Sequence, residues 1–147
     1  MGPKFTTGLL GETVFSTKKN FTNFRSSKLA APGFYPTPHS KSLFIENFHS
    51  NSYLAGGLNT AYTFAPGFDF RLEGYVFLPV KELLPASDGT LENAKFIQNY
   101  YLQGLAAIVY QTGVGPVSLT LNYYEKEDTK LYFMLNFGYI IFNKRGF

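Results

Sequence analysis

Apolar and polar residues alternate with a period of two in six separate windows, roughly 4–15, 53–64, 68–79, 99–111, 116–124 and 131–142. A period of two sends successive side chains to opposite faces of an extended chain, and the Tyr, Phe, Val and Thr content of these windows favours strands. The pattern predicts six antiparallel strands and an all-β fold. In the third window Phe68, Phe70, Leu72, Gly74, Val76 and Leu78 share one face, and Asp69, Arg71 and Glu73 share the other. The fifth window sets Val117, Leu119, Leu121 and Tyr123 against Ser118, Thr120, Asn122 and Tyr124. The sixth, LYFMLNFGYIIF, is uncharged and apolar on both faces, with NKRGF after it. Exposed on a soluble protein, such a strand would template aggregation. In a membrane β-barrel a strand of this kind faces lipid and closes the sheet.

The connections sharpen the expectation. Ala65-Pro66-Gly67 joins the second and third windows, and Thr112-Gly113-Val114-Gly115 joins the fourth and fifth. The other connections are long or charged: 16–52, the stretch from Val80 to about Asn93 and beyond, and Glu125 to Lys130. Short and long alternate strictly, as the periplasmic turns and outside loops of an outer-membrane barrel do. Phe5 and Phe15 share a face ten residues apart, as do Tyr100 and Tyr110. Ten residues tilted by about 45° rise roughly 23 Å, close to the ~25 Å apolar band between two aromatic girdles. Six strands fall short of the usual minimum of eight, and an open sheet in lipid leaves backbone groups unsatisfied. The remaining strands are therefore expected from the same polypeptide or from other copies.

Composition fits this picture. Of 13 basic and 10 acidic residues, only Lys4, Glu12, Asp69, Arg71 and Glu73 fall inside the strand windows. There are 16 Phe and 11 Tyr, with no Trp and no Cys. The hydropathy averages out near neutral, which excludes a bundle of spanning helices but suits alternation. A net charge of +3 with scattered Lys and Arg marks no nucleic-acid footprint. The first residues, MGPKFTTG, have neither a basic nor an apolar leader region. No signal peptide is expected there, and an outer-membrane protein would then be represented by a fragment or a processed piece.

From Tyr53 onward the pieces YLAGGLNTAYTF, FDFRLEGYVF, YYLQGLAAIVYQTGVGPVSLTLNYY and YFMLNFGYIIF resemble the C-terminal end of the bacterial surface-antigen barrels, the superfamily of outer-membrane assembly factors and two-partner secretion pores. The segment SKLAAPGFYPTPHSKSLFIENFHSNSYLAGGL resembles more particularly the barrel attached to patatin-like phospholipases of Bacteroidetes-type bacteria. The resemblance implies that residues 1–147 are the last strands of a sixteen-stranded transmembrane β-barrel, with a long outside loop at about 17–52. It also implies an upstream hydrolase domain with a Ser-Asp dyad, of which nothing is present in this sequence. Outer-membrane lipid, the barrel assembly machinery and the remaining strands would be the partners, and the bacterial outer membrane the location. The terminal strand, with Gly138, Tyr139, Phe142 and Phe147, would carry the assembly signal.

One departure matters. The superfamily's long loop carries an Arg-Gly-aromatic motif that pairs with acidic residues inside the barrel, whereas Ile45-Glu46-Asn47-Phe48 stands at about that place. The charges could be exchanged, with Glu46 reaching inward to Arg71 in a lumen cluster with Asp69 and Glu73; alternatively Arg71 pairs locally with its same-face neighbours.

Catalytic chemistry is not expected of this segment. No G-x-S-x-G elbow occurs. His39 and His49 lie in a Ser/Pro-rich loop without acidic or Cys companions at ligand spacing, which reads as solvated histidines rather than a metal site. No cofactor is implied. The stretch from Ala31 to Pro38 cannot be a ladder strand, and its Phe34 and Tyr35 point to an ordered loop folded over or into the barrel mouth, with a floppy linker as the alternative. Two other readings remain: a soluble β-barrel binding an apolar ligand, and part of a polypeptide translocation pore.

Overall fold

The computed structural model describes residues 4–17, 23–80, 83–85, 91–93, 99–113 and 115–138. Its strands are β1 (Lys4–Phe15), β2 (Ser52–Ala65), β3 (Phe68–Pro79), β4 (Leu83–Pro85), β5 (Leu91–Asn93), β6 (Tyr101–Thr112), β7 (Gly115–Tyr124) and β8 (Leu131–Phe137), with one helix, α1 (Phe24–Ala30), and a 3-10 turn at Glu46–Phe48. Six strands form one open antiparallel sheet in the order β1-β2-β3-β6-β7-β8, and β4 and β5 form a separate small hairpin. Five of the six windows fall within two residues of an observed strand at each end. The hairpin and α1 were not anticipated. The last strand is described only as far as Phe137, so the expectation for its continuation through Phe142 lies outside the described residues.

Turn chemistry explains the tight connections. Gly67 has φ +81°, a left-handed conformation that an L side chain adopts only at a cost, and its carbonyl accepts from Gln111 N at 2.7 Å. The ladder slips by one residue between Thr63 and Ala65, a bulge beside this turn. Antiparallel succession then places the connections that follow Ala65 and Thr112 at one end of the sheet and the longer connections at the other.

Register settles the two faces. Ala55 pairs with Phe77, Asn59 with Glu73, Ala61 with Arg71 and Thr63 with Asp69. Arg71 in turn pairs with Ala107, and Ala107 with Thr120. These residues form one continuous face, termed inner, because residues 23–51 fold back across part of it. Lys4 and Glu12 lie on it too, opposite Thr63 and Ala55.

Gly57 shows how tightly this face is built. The Tyr75 ring lies over it, shielding a residue that has no side chain of its own. A Cβ at Gly57 would collide with that ring and with the carbonyl of Gly74. Gly57→Ala is therefore expected to destabilise the sheet by about 1–3 kcal/mol, the usual cost of overpacking. Gly11→Ala, with open space around its Cβ position, should change stability far less. Chemical unfolding of the two variants checks the contrast.

Candidate membrane-facing surface and loop-filled interior

The outer face carries large apolar side chains on all six strands, with Thr7, Thr13 and Thr60 among them as uncharged polar residues. β1 gives Phe5, Leu9 and Phe15, β2 Leu54 and Leu58, β3 Phe70, Leu72 and Val76, β6 Leu102 and Ile108, β7 Leu119 and Leu121, and β8 Phe133, Leu135 and Phe137. None of the five in-strand charges lies on it. Most of its large side chains are open: Leu9 is 87% exposed and Phe137 75%. Aromatic rings gather at its ends. Phe5, Tyr62, Phe64, Phe68 and Tyr110 lie toward the short turns, where Phe68 stacks on Tyr110 at 4.3 Å and meets Phe64 at 5.7 Å. Phe15, Tyr100 and Tyr123 lie toward the long connections. The pairs ten residues apart, Phe5 with Phe15 and Tyr100 with Tyr110, are all exposed.

Toward the long connections the inner face is filled by the chain's own loop. Phe34, Ile45 and Phe48 enter from the loop and pack with Tyr53, Ala55, Tyr75, Phe77, Tyr101 and Tyr124 of the strands. Phe77 is fully buried among the rings of Tyr53 at 4.8 Å, Phe48 at 5.7 Å and Phe34 at 6.0 Å. The loop is ordered by its own bonds. Asn23 Oδ1 caps α1, accepting from Arg25 N at 2.9 Å, and Phe34 N donates to Phe48 O at 2.9 Å. Thr37 N donates to Ser40 Oγ at 3.1 Å, and Ser40 N donates to Thr37 Oγ1 at 3.2 Å. At its outer edge, Asn47 Nδ2 donates to Glu127 Oε1 at 2.7 Å, tying the loop to the turn between β7 and β8. Residues 23–51 thus lie over part of the inner face.

Two expectations are corrected here. His39 and His49 are not solvated: they are 8% and 3% exposed. His39 Nδ1 meets Tyr124 Oη at 2.8 Å, and His49 bridges Ile45 O at 2.9 Å and Tyr35 Oη at 2.5 Å. Ring neighbours, Tyr124 and Tyr132 of the strands for His39 and Tyr35 and Phe44 of the loop for His49, decide their burial, not the loop's Ser/Pro content. Nor does Glu46 reach Arg71. Glu46 begins the turn that ends at Phe48, beside Phe77 and Tyr101, and its carbonyl accepts from Lys28 Nζ at 3.3 Å. Arg71 lies six residues back along β3 from Phe77, about 20 Å from that ring's position on the strand, and no ion pair joins it to Glu46. Arg71 Nε is buried without a hydrogen-bond partner, while Asp69 accepts from Thr63 Oγ1 at 2.6 Å and Glu73 from Tyr75 Oη at 2.9 Å. Asp69, Arg71 and Glu73 do share the inner face; Glu46 belongs to a different cluster, around Lys28. Gly138, at the end of β8, has φ +112° and donates to Pro116 O at 3.0 Å. Tyr139, Phe142 and Phe147 lie outside the described residues.

Lys28 was not singled out by the sequence. It is 4% exposed, and its ammonium donates to His49 O at 3.2 Å as well as to Glu46 O. Burial pushes both imidazoles below the ordinary histidine range, and the Lys28 cation adds to this at His49, against the carbonyl of Ile45 and the Glu46 carboxylate. Above pH ~6.5 both rings are neutral in the folded and unfolded chain; below it the unfolded chain takes up protons that the folded loop resists. Stability is expected to fall as the pH drops from about 6.5 to 5. The urea midpoint measured at pH 7.5 and pH 5 checks this, and His49→Gln should flatten the difference.

Among the described residues no group of three or more His, Cys, Asp or Glu could hold a metal ion. Among the described residues no helix is long and apolar enough to cross a membrane, which says nothing of crossing by strands. Compared with known proteins, the chain matches no family model, no curated protein and no solved structure.

Proposed function

We propose that this chain is the membrane-embedded C-terminal part of a bacterial outer-membrane β-barrel, anchoring or displaying a patatin-like lipid hydrolase and doing no catalysis itself. One observation carries the membrane reading. The exposed face of six neighbouring strands of one sheet holds no charged residue and is edged by aromatic rings, while every charge within those six strands lies on the opposite face. In water so broad an apolar surface would drive association; in a bilayer it is the expected coat of a barrel. Among the described residues β1 and β8 are open edges, and lipid tolerates none. Further strands, from an upstream part of the polypeptide or from other copies, therefore complete the wall. The hydrolase rests on the resemblance of the loop and terminal strands alone. A soluble barrel with an apolar-ligand interior would need the opposite arrangement, with the uncharged face inside.

The chain has no cysteine, so single Cys substitutions give clean label sites. Bimane attached at Leu119→Cys or Leu121→Cys, in protein reconstituted in phospholipid vesicles, should be quenched by nitroxide-labelled acyl chains. Bimane at Thr120→Cys should escape. Equal quenching at all three positions, or none at the first two, refutes the membrane reading.

A further inference from the structure

We propose that a pocket on the inner face, between the loop and strands β6 to β8, binds a single neutral sugar ring. It is a cavity of about 140 Å³ whose lining includes His39 of the loop, Leu105 of β6, Ser118, Thr120 and Asn122 of β7, and Met134 of β8. By volume it holds about four to five waters at ~30 Å³ each, or one edge of a six-membered ring whose remaining hydroxyls stay outside its open side.

The polar groups point to a ligand. Asn122 is 1% exposed, and its Oδ1 has no hydrogen-bond partner. Its Nδ2 reaches only Thr120 Oγ1, at 3.5 Å, the outer limit of a hydrogen bond. Native proteins rarely leave a buried amide so poorly met. His39 is held in place: Nδ1 contacts Tyr124 Oη at 2.8 Å, and the ring packs on Tyr124 and Tyr132 at 5.6 and 5.0 Å. Its Nε2 is the nitrogen left for a ligand.

The chemistry of the lining selects the class. No Asp, Glu, Lys or Arg borders the cavity, so an ion would find no counter-charge. Leu105 and Met134 offer apolar contact for the C–H face of a pyranose, and the amide, hydroxyl and imidazole groups suit its hydroxyl edge. This is the usual make-up of a small-molecule site: apolar walls with a few placed polar groups. The pocket is formed by this chain's own loop and strands, so its test stands apart from the membrane reading.

The test is saturation-transfer NMR on the full chain folded in a sugar-free detergent, lauryldimethylamine oxide. The probes are the methyl α-glycosides of glucose, galactose and mannose at millimolar concentration. Saturation transfer to the ring protons of at least one glycoside is expected, with affinity about tenfold weaker in Asn122→Leu. Thr120→Val removes a hydroxyl at nearly constant shape, so it keeps the fold if Asn122→Leu does not, and the same loss is expected there. Competition by a disaccharide with the bound hexose at its non-reducing end (maltose for glucose, melibiose for galactose, α-mannobiose for mannose) separates two sources of the same chemistry: displacement identifies the end of a glycan, and no displacement a free monosaccharide. Absence of transfer from all three glycosides, or undiminished binding in every folded variant, overturns the proposal and leaves the cavity to water.

Discussion

Replacing Phe77 with alanine is expected to cost about 3–5 kcal/mol and to free the loop from the inner face. The size of the effect comes from the position of the ring. Phe77 has no exposed surface and touches Phe34 and Phe48 of the loop as well as Tyr53 and Tyr101 of the adjoining strands. Its removal leaves a cavity where the loop is fastened, and the strands around it are held by their own ladders. The loss should therefore fall on the loop before the sheet. Local opening raises protease susceptibility in proportion to the open population, and 3 kcal/mol is worth more than about a hundredfold in that population. Lys28, 4% exposed, gives the readout. Trypsin should cut after Lys28 far faster in Phe77→Ala than in the parent. Leu72→Ala, on the outer face, should leave that cleavage unchanged. Slow cleavage in both would mean that the loop is held elsewhere.

The strands were legible in the sequence because alternation is a local property, and it survives translation into a sheet without further information. Faces followed in the same way: Asp69, Arg71 and Glu73 were placed together by parity alone, and β3 shows them so. What escaped depends on contacts between distant residues. Phe34, Ile45 and Phe48 sit in a segment rich in Ser, Pro and Asn, whose composition is the same whether it lies in water or against a sheet. Their apolar side chains were the available sign that the loop has a buried side, and His39 and His49 are carried in with them. The Glu46–Arg71 pairing failed on depth, which parity does not report. Arg71 stands four residues after the Pro66-Gly67 turn, whereas Glu46 belongs to a connection at the opposite end. Counting residues from each turn would have set them a strand's length apart. α1 and the β4–β5 hairpin are too short for either period to mark. The cavity beside Asn122 is a matter of packing, and no sequence pattern marks it.

Leu119→Arg and Tyr123→Arg separate lipid from every other cover for the outer face. Both residues point outward from β7, Leu119 at mid-strand and Tyr123 near the aromatic edge. In a bilayer an arginine costs about 2–4 kcal/mol at the midplane and about 0–1 kcal/mol near the interface, where its head reaches the headgroups. The expected result in vesicles is a loss of 2–4 kcal/mol of unfolding free energy for Leu119→Arg and at most about 1 kcal/mol for Tyr123→Arg. Chemical unfolding of protein inserted in phospholipid vesicles measures both. A solvated face predicts something different, since an exposed Leu exchanged for Arg in water changes stability by only about 0.5 kcal/mol either way. A face covered by a second protein surface predicts a third pattern, because a buried unpaired charge is costly wherever it falls on the interface. Only a graded medium makes the penalty depend on height along the strand. The difference between the two variants is thus the decisive quantity, and a difference near zero would remove lipid as the partner of this face.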